Sequence, residues 1–137
     1  MFTKSHLLGT LSGFVVLFLG GWLYYDMLAK GFYDAHTSQA AAALMRGDDT
    51  NLFFVALGSL VQACVMTSLY AKLADKDNGL KFGAFFGLFV GFGIGLLNYG
   101  LMDFMDMTGA LVDFVWSIVF YAIAGWVMAM VYNKFAN

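Results

Sequence analysis

Apolar residues run almost unbroken over four stretches, at about residues 7–28, 52–73, 80–102 and 110–132, and the polar residues gather between them. Each stretch is about 20 residues, the length an α-helix needs to cross the hydrocarbon of a bilayer. Hydrocarbon offers no water to a free backbone N–H or C=O, so the helix is the element this pattern predicts. The expected fold is all-α: a polytopic membrane protein, a four-transmembrane-helix bundle forming one domain over residues 1–137. Lys4 and His6 precede the first stretch as in a signal peptide. The stretch is too long for a signal h-region and no A-x-A site follows, so it is expected to be a retained helix.

The connections refine this picture. The segment around Ala74 to Gly79 is very short and makes the second and third helices antiparallel neighbours. The first outer connection, about residues 30–51, is long. Within it Thr37 or Ser38 is placed to cap a short helix through Ala40 to Met45, and Gly47 to end it. Val65 to Leu73 resembles Val127 to Phe135, and a Gly-x-x-x-Tyr spacing recurs at Gly21 to Tyr25 and Gly95 to Tyr99. Read as duplication, this gives two parallel-repeat helical hairpins. Read otherwise, Tyr and Lys recur because every inner interface favours them.

Charge orients the bundle. Lys4, Lys72, Lys76, Lys81 and Lys134 fall on the side of the termini, and only Lys30 and Arg46 on the other. The positive-inside rule then predicts both termini in the cytoplasm. Trp22, Tyr24, Tyr25 and Tyr99 read as the outer aromatic belt, and Tyr70 and Tyr132 as the inner one. Hydrophobic residues make up 61% of the chain and charged residues 12%, which argues against a soluble domain. The net charge of −2 provides no basic footprint for nucleic acid. The one cysteine, Cys64, has no partner for an internal disulfide and reads as a buried thiol.

Candidate chemistry is sparse. Gly79, Gly83, Gly87, Gly91 and Gly95 recur every fourth residue of the third helix, a glycine zipper, and line one face of it. Such a row admits close approach of another helix, in this chain or another; the alternative is a narrow glycine-lined groove. Ser59, Ala63, Thr67 and Ala71 form a milder row in the second helix. Gln62 is the deepest polar residue and is expected to bond a neighbouring helix. Seven of the nine Asp residues lie toward the outer side. Asp103, Asp106 and Asp113 are weak candidates for a cation site if they converge, and solvated charge otherwise. His6 and His36 fall on opposite sides, so no cofactor is expected between them, and Asp34-Ala-His36 is a weak metal pattern. No nucleophile elbow, CxxC, P-loop or HExxH occurs, so no enzymatic activity is expected.

The first helix closes with Gly20-Gly21-Trp22-Leu23-Tyr24-Tyr25-Asp26-Met27-Leu28, followed by Lys30-Gly31-Phe32. This resembles an uncharacterised family of small bacterial four-helix membrane proteins. That family ends its first helix with a Gly, an aromatic pair usually read as Trp-Tyr, and a basic-aromatic stretch. The Gly-rich third helix and the Gly beside Trp126 also fit, so the likeness spans most of the chain. The family's usual Pro after the aromatic pair is replaced here by Asp26 and Met27. The resemblance implies architecture only.

The expected function is therefore that of an accessory or scaffold subunit working through helix–helix contacts in the lipid bilayer, as a homo-oligomer or within a larger membrane complex. The alternative is a small cation or solute channel or transporter using the outer Asp cluster. Proline-free helices and the lack of an ionisable group near the midplane weigh against that alternative.

Overall fold

The computed structural model describes residues 2–73 and 78–136; of the turn expected around Ala74 to Gly79, residues 74–77, with Lys76, lie outside these. The described residues contain α1 (Lys4–Trp22), α2 (Lys30–His36), α3 (Gln39–Leu44), α4 (Leu52–Leu73), α5 (Gly79–Gly87), α6 (Ile94–Leu101) and α7 (Met107–Phe135). A wide π turn, Leu23–Leu28, extends α1, and a second, Leu88–Gly93, joins α5 to α6. Four spans result: Lys4–Leu28, Leu52–Leu73, Gly79–Leu101 and Met107–Phe135, all long and apolar enough to cross a membrane.

Polar caps set the helix starts. Thr3 Oγ1 accepts from the His6 N–H at 3.2 Å, so α1 begins before the apolar run does. Asn78 Oδ1 accepts from Lys81 N–H at 3.0 Å, and Asp106 Oδ1 from Gly109 N–H at 2.8 Å. Each cap satisfies a backbone donor that the first turn leaves without a partner. The fourth span is longer than its apolar run for the same reason: it starts at the Asp106 cap and continues to Phe135. In the first connection Ser38 caps a helix over Gln39–Leu44, and Gly47 adopts a left-handed φ of 56°. The helix over Lys30–His36 was not expected from the sequence.

The core lies toward the end that carries Lys4 and Lys134, named the inner end after the orientation expected from the charges. Ala63, Met66 and Tyr70 of α4 pack there with Tyr121, Ala124, Met128 and Ala129 of α7, and Leu17 of α1 joins them. Small residues set the spacings. A Cβ on Gly9 would come within 3.2 Å of Thr67 Cγ2 and of Tyr132 Cβ, and one on Gly13 within 3.5 Å of Ala63 Cβ. The second-helix row thus meets α1 through Ala63 and Thr67. The two hairpins do not meet equivalently: α1 packs along both α4 and α7, whereas α4 barely touches α5. Toward the outer end α4 swings free, with Phe53, Phe54 and Val61 each more than half exposed. Nothing lies within 4 Å of a Cβ placed on Gly58.

Candidate functional sites: a glycine seam and an outer tyrosine cluster

The glycine row of the third span faces α7 of the same chain. A Cβ on Gly79 would strike Ala129 Cβ, and one on Gly83 the Tyr121 carbonyl oxygen. On Gly87 it would lie 2.5 Å from the Ser117 carbonyl oxygen and 2.8 Å from Ile118 Cα. On Gly91 it would strike the Ser117 side chain, and on Gly95 the Phe114 ring. Gly87 and Gly91 both meet Ser117 because the wide turn Leu88–Gly93 intervenes and holds the row in register. The partner surface is itself reduced: a Cβ on Gly125 would lie 2.6 Å from both Gly79 O and Gly83 Cα. Contact between backbones is what small residues at a helix interface permit. The groove that glycines alone would leave is filled here by α7.

Gln62 lies in the middle of α4. Its Oε1 accepts the Tyr121 hydroxyl at 2.6 Å, which ties α4 to α7 at the edge of the core.

At the outer end, one carboxylate, Asp113 of α7, meets tyrosines from two other elements. The wide turn Leu23–Leu28 brings the adjacent residues 24 and 25 onto one side, toward α7. The Tyr24 ring stacks on Trp116, with centroids 3.9 Å apart and planes 15° apart. The Tyr25 hydroxyl donates to Asp113 Oδ1 at 2.7 Å, and Tyr33 of α2 donates to the same oxygen at 3.2 Å. Burial and then the bond with Tyr24 push the Tyr33 hydroxyl above the usual tyrosine range, so it stays a donor at ordinary pH. Tyr24 and Tyr25, expected as an interfacial belt, also make tertiary contacts.

The Asp residues named from the sequence go to separate partners. Asp113 holds the tyrosines. Asp106 caps α7 and bonds His36 Nδ1 at 2.6 Å. Asp103 contributes its carbonyl oxygen, which accepts the Ser38 hydroxyl at 2.7 Å. Asp34 lies 3.6 Å from Lys30 and His36 bonds Asp106, so the Asp34-Ala-His36 pattern is divided as well. Among the described residues no group of three or more His, Cys, Asp or Glu side chains is placed to hold a metal ion.

These contacts fasten the first connection onto the second. The Ser38 N–H donates to Phe104 O, and the Asp106 N–H to His36 O, both at 2.9 Å. The Gly109 N–H, and after it the His36 ring, hold the Asp106 carboxyl below the usual carboxylate range. A depressed native value makes a stability contribution that is complete above the ordinary value of 3.8 and is lost as the pH falls through the lowered one. Asp106→Asn keeps a capping oxygen but not the charge. It should lower the melting temperature near neutrality, where the contribution is complete, and the difference from the wild type should close as the pH falls through the lowered value; a difference that is the same in acid as at neutrality would contradict this role.

Several of these residues escaped the sequence reading. Gly9 and Gly13 carried the signal of their four-residue spacing, and Gly125, noted only for its place beside Trp126, sits among Ala122, Ala124 and Ala129. Tyr33 carried none, because its partner is 80 residues away. Beside the cluster an open cleft of about 1120 Å³ separates the end of the first span from the start of α4, with Trp22, Asp26, Arg46 and Phe54 in its walls.

No protein family, curated protein or solved structure matches the chain.

Proposed function

We propose that this chain is an integral membrane bundle that works through helix contacts, as an accessory or scaffold subunit, either self-associated or docked in a larger complex. The distribution of apolar surface carries the reading. Large apolar side chains stand exposed on all four spans, among them Leu7, Leu11 and Leu19 on the first, Phe53 and Leu60 on the second, Phe85 and Phe89 on the third, and Val115 and Trp126 on the fourth. Exposed apolar patches beyond a few hundred Å² are rare on soluble monomers and mark a membrane or a partner. The interior is closed by small residues at the glycine seam, which supports packing over passage. Both termini lie in the cytoplasm of a bacterial cell, and membership of the small four-helix family suggested by residues 20–32 belongs to the same proposal.

Two measurements test placement. The chain should stay with membranes through an alkaline carbonate wash, and release into the supernatant would contradict the reading. In a Cys64→Ser background, a cysteine at Asp48 should be labelled by an impermeant thiol reagent in intact cells, and one at Lys72 only after lysis. The reverse pattern would overturn the orientation.

The alternative, a small cation or solute conductor using the outer Asp cluster, has less support, since Asp103, Asp106 and Asp113 go to separate partners.

A further inference from the structure

We infer that the open cleft between the end of the first span and the start of α4 holds a zwitterionic phospholipid, its phosphate on Arg46 and its primary ammonium between Asp26 and Asp48. The inference rests on the membrane-bundle reading and gives that bundle a bound lipid class.

The cleft exists because α4 leaves the bundle toward its outer end, while Tyr24 keeps the end of the first span against α7. Pockets that enclose drug-sized ligands measure about 300–1,000 Å³. At about 1120 Å³ this cleft has room for a lipid headgroup and the upper part of its chains. Its walls are graded along the helix axes. Trp22 ends α1, and Phe54 and Val55 lie in the first turn of α4; all three are exposed. Asp26 lies one turn beyond Trp22, and Arg46 and Asp48 belong to the connection outside the spans. Charge above and hydrocarbon below is the profile of a phospholipid at headgroup level, where an exposed Trp also belongs. A soluble ion or metabolite would leave the apolar wall to water. Lipid reaches the opening from the side, between the two spans.

The charges select the headgroup. Lys30 and Asp34 are engaged with one another at 3.6 Å. Arg46, Asp26 and Asp48 have neither an ion pair nor a side-chain hydrogen bond among the described residues. A guanidinium fits a phosphate through paired N–H donors. Two carboxylates suit a primary ammonium, which has three N–H groups to donate. A choline headgroup has no N–H to offer them. An anionic headgroup without an amine leaves Asp26 and Asp48 unmatched, in a cleft where three carboxylates already face two basic groups.

The test is thermal melting of the full chain in detergent with added lipids of identical acyl chains. Phosphatidylethanolamine should raise the melting temperature by about 5 °C or more, and phosphatidylcholine and phosphatidylglycerol by less than about half as much. Arg46→Gln, and Asp26→Asn with Asp48→Asn, should each lose most of that shift yet melt normally without lipid, since these side chains are exposed and hold no partner. Asp49→Asn, beside the cleft but not in its wall, should keep the shift. Phosphoethanolamine without chains should give none. Equal shifts from the ethanolamine and choline lipids, or a larger one from phosphatidylglycerol, would overturn the proposal. So would a full shift in Arg46→Gln or in the double variant, an equal loss in Asp49→Asn, or a full shift from the free headgroup, which would make the ligand a soluble one. A chain released by the carbonate wash would instead sink the membrane reading beneath it.

Discussion

Leucine in place of Gly83 or Gly87 is expected to break the seam between the third and fourth spans and to lower the melting temperature of the detergent-solubilised chain by about 10 °C or more. The reason is what stands opposite. At Gly83 a Cβ meets the Tyr121 carbonyl and lies 2.9 Å from Ala122 Cα; at Gly87 it meets the Ser117 carbonyl and Ile118 Cα. These are backbone atoms of a continuous helix and cannot turn aside as a side chain does. Overpacking costs about 1–3 kcal/mol where side chains yield, so the upper end of that range or beyond is expected here. Gly100 provides the control. It is in α6 and nothing lies within 4 Å of its added Cβ. Gly100→Ala should leave the melting temperature equal or slightly raised, since alanine is the better helix former. Similar losses in all three variants would show that helix content, and not the seam, sets stability.

Removal of the Asp113 carboxylate should release the first connection from the bundle. Tyr25 and Tyr33 both donate to Asp113 Oδ1, and the Tyr24 ring lies on Trp116 beside them. Hydrogen bonds to a charged group contribute about 1.5–3 kcal/mol each, so Asp113→Leu is expected to cost about 3 kcal/mol, with the Tyr25 hydroxyl left without its acceptor and the Tyr33 hydroxyl with Tyr24 alone. Asp113→Asn keeps an acceptor oxygen and should cost about half as much. Hydrogen exchange over Lys30–His36 reads the effect directly: protection should fall in the leucine variant and partly persist in the asparagine variant. Unchanged protection in Asp113→Leu would mean that the Ser38–Phe104 and His36–Asp106 contacts hold the connection alone.

The helices were legible in the sequence because the length of an apolar run is a property of one segment. Pairing is a property of two, and a four-residue glycine spacing does not name its partner. The row from Gly79 to Gly95 is equally suited to a helix of this chain or another, and only the facing small residues Ala122, Gly125 and Ala129 single out α7. The outer carboxylates were read by the end of the bundle they share. Their partners follow instead from local geometry: Asp106 is the cap of α7, and Asp113 is two turns further along it. The tyrosine contacts were hidden for a different reason. A wide turn at Leu23–Leu28 carries Tyr24 and Tyr25 both toward α7, and in a chain without proline no residue announces that turn. His36 was assigned to a loop, and its place depends on the pairing of two connections about 70 residues apart.

The account holds that this bundle works through contacts between helices, and native mass spectrometry of the chain extracted gently from its membrane tests that most directly. The expected result is a species of at least two 15.0 kDa chains, or one chain with a bound partner, that persists until the detergent is made harsher. A single 15.0 kDa chain, free of partners at the mildest extraction and at every concentration, would contradict it.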